Sequence, residues 1–261
     1  MNKPVVTISS LMTALLCAPA QSNSDSDIEV ITITNQHVIY KDQKQAEGDV
    51  NLTDSSAWLT SVPGAAINKN GATSGIAQYR GLYGDRVAVK IDGLNLIGSG
   101  PNAMDAPMSY APNNLIDSMQ VYRGVAPVSA GIDTLGGAID IKLKQAQFSN
   151  SEPLKMSGEL LLGYNHQGQG RTWSPTLNIA TDEQALLAYG NRQSFDDSES
   201  GAGHRLAPSG FDKVLYGVNY QVQLAEGQIG FGAHRVDTTD AGTPALPMDV
   251  TYIDATRYEF T

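Results

Sequence analysis

Hydrophobic and polar positions alternate strictly over residues 213–224. Val214, Tyr216, Val218, Tyr220, Val222 and Leu224 fall on one side, with Lys213, Leu215, Gly217, Asn219, Gln221 and Gln223 on the other. A strand turns successive side chains to opposite faces, so this run predicts a strand with one apolar, aromatic face and one mainly polar face. Ala225, Glu226 and Gly227 supply a short turn. Residues 228–236 then return with Ile229, Phe231 and Ala233 opposite Gln228, Gly230, Gly232 and His234. Weaker copies come earlier. Residues 156–164 set Leu160, Leu162 and Tyr164 against Glu159 and Gly163. Residues 173–181 set Leu177 and Ile179 against Thr176 and Asn178. Residues 184–192 set Ala185, Leu187 and Tyr189 against Gln184, Gly190 and Arg192. About five strands are expected, with residues 258–261 reading as the middle of another.

The first half has a different texture. Two β-prone runs, residues 86–91 and 119–122, each end against a glycine, at Asp92-Gly93 and Arg123-Gly124. A third, residues 138–141, follows Gly136-Gly137. Between the first two lies a Gly-, Pro-, Met- and Asn-rich loop, residues 96–112. Residues 53–61 open on a helix-start residue, carry Ala57, Trp58 and Leu59, and stop at Val62, Pro63 and Gly64. The pattern predicts a small, loop-rich α+β domain ahead of the alternating strands.

Composition narrows the class. The 261 residues fit one large or two modest domains, and 26 Gly with 12 Pro favour turns and short strands. The net charge of −10 has the wrong sign for a phosphate-binding nucleic-acid protein. Lys3, an apolar run over residues 10–17 and small residues at Ala18 and Ala20 predict an export signal cleaved after Ala20. Cleavage removes Cys17, the single cysteine, and with it any disulfide or thiolate ligand. No later stretch approaches the roughly 20 apolar residues of a membrane helix. The alternating strands do match the roughly 9–11 residues that cross a bilayer as a tilted strand, and their Tyr and Trp near strand ends suit a water–lipid interface. The alternative is a soluble periplasmic or secreted β-rich binding protein, whose strands also alternate.

The ordered set Gln78-Tyr79-Arg80-Gly81, Asp85-Arg86-Val87, Ile91-Asp92-Gly93, Val121-Tyr122-Arg123-Gly124, Gly131 and Leu135-Gly136-Gly137-Ala138-Ile139 resembles the plug of TonB-dependent outer-membrane receptors over roughly residues 28–143. The resemblance implies an α+β plug domain followed by antiparallel transmembrane β-barrel strands, with the barrel incomplete in this chain. Such a barrel needs about 22 strands, several hundred residues, so a fragment or truncated product is expected. The implied organisation is a signal peptide at 1–20, a flexible segment at 21–40, a plug at 41–147 and partial barrel strands at 148–261. It places the protein in the cell outer membrane, against lipid.

Glu29, Val30, Ile31, Thr32 and Ile33 form a β-prone tract behind a polar tail, suited to adding a strand to a partner's sheet edge. They resemble a TonB box, which makes TonB and its inner-membrane energy-coupling complex the expected partner; the plain alternative is the first strand of the domain. The resemblance implies scaffold roles for Arg80, Gly81, Arg86, Asp92, Gly93, Arg123, Gly124, Gly136 and Gly137, with Arg80 and Arg123 pairing with acids of the barrel wall.

Cargo identity is expected in loop 96–112. Met104 and Met108 are four apart, with Asp105, Ser109 and Tyr110 between or beside them. Thioethers are soft ligands suited to Cu(I), and the loop core resembles copper-type receptors of this family. Those carry a cysteine four residues before the first methionine, where this chain has Gly100. Met104 and Met108 therefore either ligate a metal or pack the loop. The candidate ligand-binding set is Met104, Asp105, Met108 and Tyr110. No catalytic motif and no cofactor motif is present, and the expected activity is uptake of a scarce nutrient, a metal ion or metal chelate.

Overall fold

The computed structural model describes residues 30–34, 55–73, 75–98, 100–123, 135–149 and 153–261. The predicted export signal, Glu29, Gly124 and Gly131 lie outside the described residues.

The first half builds two small sheets. Strands β1 (Val30–Thr34), β5 (Ala88–Ile91), β6 (Leu94–Leu96), β7 (Ile116–Arg123) and β8 (Gly137–Leu143) form one sheet in the order β1-β7-β8-β5-β6. Strands β2 (Ala65–Lys69), β3 (Gly75–Tyr79) and β4 (Leu82–Tyr83) form the other. The predicted helix is a single 3-10 segment, Ser55–Ser61, ended by Pro63 and Gly64. Two of the predicted glycine turns are two-residue hairpins. Arg80 and Gly81, at φ 49° and 82°, join β3 to β4; Asp92 and Gly93, at 51° and 84°, join β5 to β6. Positive φ at both central residues gives the twist that tight hairpins need, and X-Gly pairs supply it cheaply. Gly136 serves packing instead: a Cβ there would lie 2.9 Å from the Arg86 carbonyl, which already accepts the Gly136 N–H at 2.8 Å.

The second half is one antiparallel sheet of six strands in sequence order: β9 (Lys155–Asn165), β10 (Gly170–Ala180), β11 (Gln184–Phe195), β12 (Phe211–Leu224), β13 (Gly227–Ala241) and β14 (Val250–Phe260). Alternation in the sequence predicts about five strands; residues 258–260 belong to a sixth. Connections of two or three residues at one end alternate with longer loops, up to residues 196–210, at the other.

This sheet wraps the N-terminal domain as a wall, with its polar face inward. Thr172, Ser174, Asn191, Gln193, Lys213, Asn219, Gln221, His234, Thr238 and Glu259 are buried. Leu160, Leu162, Trp173, Leu177, Tyr216, Val218, Tyr220, Ile229, Phe231, Tyr258 and Phe260 are exposed. A soluble sandwich buries its apolar face; an outer-membrane strand turns that face to lipid. β11 departs from the general rule. Its apolar residues Ala185, Leu187 and Tyr189 face inward and join Leu215 and Val236 in the same core as Ile91, Met108, Ile116, Met119 and Ile141 of the N-terminal domain. That apolar patch seats the domain on the wall.

Candidate functional site

Loop 96–112 lies at the long-loop end of the wall. It folds as short 3-10 turns, Pro101–Ala103, Pro107–Tyr110 and Asn113–Leu115, each opened by or following proline. Met108 is fully buried in the core, and the Ser55 hydroxyl donates to its carbonyl at 3.2 Å. Met104 is also buried, its sulfur 3.9 Å from the Thr243 hydroxyl on the β13–β14 loop. The Tyr110 hydroxyl donates to Asp105 Oδ2 at 2.6 Å. Burial, reinforced by that bond to a carboxylate, pushes the Tyr110 phenol well above its usual range. Asp105 and Tyr110 thus stiffen the loop from within. Among the described residues no group of three or more His, Cys, Asp or Glu could hold a metal ion.

Beside these side chains the loop borders an open cleft of about 580 Å³, lined by Asn68, Asn70, Tyr83, Asp85, Arg86, Gly100 and Asn102, with Leu246 from the β13–β14 loop on one side. Asn70 Nδ2 donates to the Asn102 carbonyl at 2.7 Å and ties two of its rims together. Gly100 has φ 71° and ψ 166°, a region open essentially to glycine alone. A Cβ there meets nothing within 4 Å, so the backbone, and not crowding, selects the glycine. The sequence names Arg86 only as scaffold and Asn102 only within the Asn-x-Met-Asp-x-Pro loop core; the amides of Asn68 and Asn70 belong to no motif.

A polar seam holds the domain in the wall. Asp92 stands at its centre: Oδ1 accepts the Leu143 N–H at 2.8 Å, and Oδ2 pairs with the Arg257 guanidinium of β14 at 2.9 Å. Arg257 also lies 3.6 Å from Glu259, which sits 3.2 Å from His234 Nε2 and accepts from Asn219 at 3.4 Å. Tyr189 meets the other His234 nitrogen, Nδ1. Farther along, the buried Lys213 donates to the Ser109 carbonyl, Asn114 donates to Ser174 at 2.5 Å, and Asn219 accepts the Ala146 N–H at 2.9 Å. Burial raises the Asp92 carboxyl above its usual value, with the Leu143 N–H and Arg257 opposing it.

The other anticipated scaffold residues separate. Arg80 is exposed and lies over the Tyr79 ring, 5.3 Å from its centre. Arg123 pairs through its backbone with Gly137, the first residue of β8. Ion pairs between domain and wall in the described residues run both ways: Asp92 of the domain meets Arg257 of β14, and Lys144 of the domain meets Glu159 of β9 at 3.1 Å. Val30, Ile31, Thr32 and Ile33 sit in β1, antiparallel to β7 at the sheet edge, with Ile31 opposite Val121.

Residues 30–138 match the family model of the TonB-dependent receptor plug domain. No curated protein matches the chain by sequence. Among solved structures, the copper transporter OprC superposes with a TM-score of 0.68 at 24% identity, over 80% of this chain and 30% of that one. The FrpB iron transporter of Neisseria meningitidis gives 0.63 at 19%, over 82% and 32%. The siderophore receptor PirA of Acinetobacter baumannii gives 0.59 at 17%, over 80% and 31%. The chain spans about a third of the length of these receptors. At such identities the likeness carries the fold, a plug followed by barrel strands, and the barrel in this chain is partial. Residues 30–138 are thus a plug domain of the TonB-dependent receptor type, and the strands that follow, polar inside and apolar outside, have the fold of the barrel strands in these outer-membrane receptors.

Proposed function

We propose that this chain is part of a receptor that takes up a small, polar, oxygen-rich molecule or metal chelate across the outer membrane, and that TonB supplies the force through residues 29–33. The observation that carries the cargo class is the 580 Å³ cleft at the long-loop end. Three amides, a phenol, a carboxylate and a guanidinium on its lining suit hydroxyl, carbonyl and carboxylate groups. A bare soft cation is a weaker fit: Gly100 lines the cleft without a side chain, and Met108 is enclosed in the core. The copper, iron and siderophore cargoes in the names of the similar structures bracket this choice. Val30–Thr34 pair with β7 as the first strand of the domain, as the plain alternative has it, so the TonB assignment rests on the resemblance; the edge position of β1 among the described residues is compatible with pairing to a partner strand. The work is transport, with no reacting group required.

The test is uptake in cells carrying the whole receptor, with and without a working TonB, under copper, zinc and iron limitation. Arg86→Ala and Asn68→Ala should each lower uptake of the chelate about tenfold at unchanged outer-membrane level, the effect of roughly 1.4 kcal/mol of lost binding. Met104→Leu should leave it unchanged. Uptake that ignores TonB, or that depends on Met104 and not on Arg86, overturns the proposal.

A further inference from the structure

The outward face of the wall is not uniformly apolar. Toward the short-turn end its outward residues are Met156 and Leu160 on β9, Leu177 and Ile179 on β10, Leu186 on β11, Val218 and Tyr220 on β12, and Ile229 and Phe231 on β13. Toward the long-loop end charges appear on the same face: Arg171 on β10, Arg192 on β11, Asp212 on β12, Arg235 and Asp237 on β13, and Asp254 on β14. Each two-residue step along a tilted strand climbs about 5 Å across the bilayer. The four steps from Arg171 down through Trp173, Pro175 and Leu177 to Ile179 thus cover about 20 Å, close to the roughly 25 Å apolar band of such barrels. The charges mark the rim of that band on the outer side.

On β13 and β14 the one rim cation is fully countered, because Arg235 pairs with both Asp237 at 2.9 Å and Asp254 at 2.5 Å. On β10 and β11 the rim cations are not. Arg171 and Arg192 are both exposed, and neither makes an ion pair among the described residues. Register places Trp173 directly opposite Arg192, and Arg171 opposite Ser194, so the two arginines are diagonal neighbours on one face. Such neighbours stand about 7–8 Å apart, within reach of a single phosphate by two long side chains. Asp212, opposite Ser194 from the other side, pairs with neither. Trp173, 49% exposed, adds an indole at the depth where aromatic rings favour the interface.

We infer that Arg171, Arg192 and Trp173 form a binding site for the phosphate headgroup of a lipid in the outer leaflet. Guanidinium forks bind phosphate oxygens in pairs, and the acyl chains would lie on Leu177, Ile179 and Leu186 directly below. In a chain of net charge −10, an unneutralised cationic pair facing the bilayer complements anionic headgroups and little else on that surface. The inference rests on the outer-membrane placement of the strands, which cell fractionation tests separately.

The experiment uses the receptor in detergent, with bisphosphorylated lipid A, its dephosphorylated form and inorganic phosphate as probes, read by native mass spectrometry. The wild-type receptor should retain phosphorylated lipid A at least tenfold better than the dephosphorylated form. The Arg171→Gln, Arg192→Gln double variant should lose that preference, Arg171→Lys with Arg192→Lys should keep part of it, and Arg235→Gln should leave it intact. Circular dichroism and heat-modifiable gel migration verify that each variant is folded. Equal retention of the two lipids by the wild type, an unchanged preference in the double Gln variant, or full displacement by inorganic phosphate at equal concentration overturns the proposal.

Discussion

At the scale of single residues, backbone conformation decides more of this protein than side-chain chemistry does. Gly100 lines the cleft that we assign to cargo, at φ 71° and ψ 166°. A cysteine there would have open space around its Cβ yet would hold a backbone conformation costing of order 1–3 kcal/mol. Gly100→Cys is therefore expected to fold with a loosened loop, and to weaken chelate binding instead of creating a tight copper site. Isothermal titration of the purified receptor with Cu(I) and with the chelate checks this; nanomolar Cu(I) affinity in the variant would show that the loop adapts at little cost. The methionines repeat the lesson. Spacing alone left Met104 and Met108 as ligands or packing, because a thioether serves either purpose. Enclosure of Met108 among Ile91, Ile116 and Met119 is a tertiary fact, invisible in the motif.

Among the elements, period two did the most predictive work. Alternation in residues 213–224 and 228–236 located β12 to within two residues and the start of β13 to within one, since side-chain direction follows directly from strand geometry; β13 runs five residues farther, to Ala241. It also oriented them: the apolar face is outside. Val218 is outward on β12, several residues from either end, with Ala188 and Ala233 beside it in register. Val218→Arg is expected to cost about 2–4 kcal/mol, the penalty for a cation near the bilayer midplane on a barrel's lipid face. Urea unfolding of the receptor in lipid measures it; a neutral result would mean that this face does not meet lipid. The same reading failed on β11, whose Ala185, Leu187 and Tyr189 looked like a lipid face. Periodicity reports which residues share a side, and only the packed domain shows what that side touches.

For the whole molecule, the plug and the wall are joined by an apolar patch and a polar seam with Asp92 and Arg257 at its centre. Asp92 was legible as the first residue of a tight turn. Its second duty was not, because Arg257 lies 165 positions away and no local rule links them. Asp92→Ala leaves the Leu143 N–H without its acceptor and Arg257 with Glu259 alone, and should destabilise the plugged state by about 3 kcal/mol. The pH dependence has a definite sign. Burial raises the Asp92 carboxyl, so the folded state holds its proton more tightly than the unfolded chain does. The stability that this brings is full below the ordinary value of 3.8 and is lost as pH rises through the raised value. Asp92→Asn does not titrate, so the melting temperature of the wild type relative to Asp92→Asn should fall as pH rises across that window. A constant difference from pH 3 to 8 would remove Asp92 from the seam's energetics.

By itself the sequence determined the two-part plan, the strand faces and the glycine hairpins at Arg80-Gly81 and Asp92-Gly93. Each rests on local geometry: a strand's period, a turn's φ angles, the length that spans a bilayer. Tertiary structure decided the rest. It put Met108 in the core, gathered Asn68, Asn70, Arg86 and Asn102 around one cleft, paired Asp92 with Arg257 across the plug–wall seam, and set Arg171 and Arg192 as diagonal neighbours at the outer rim. Those outcomes depend on which distant residues share a space, and a chain reveals that only when its backbone groups and buried charges have all found partners.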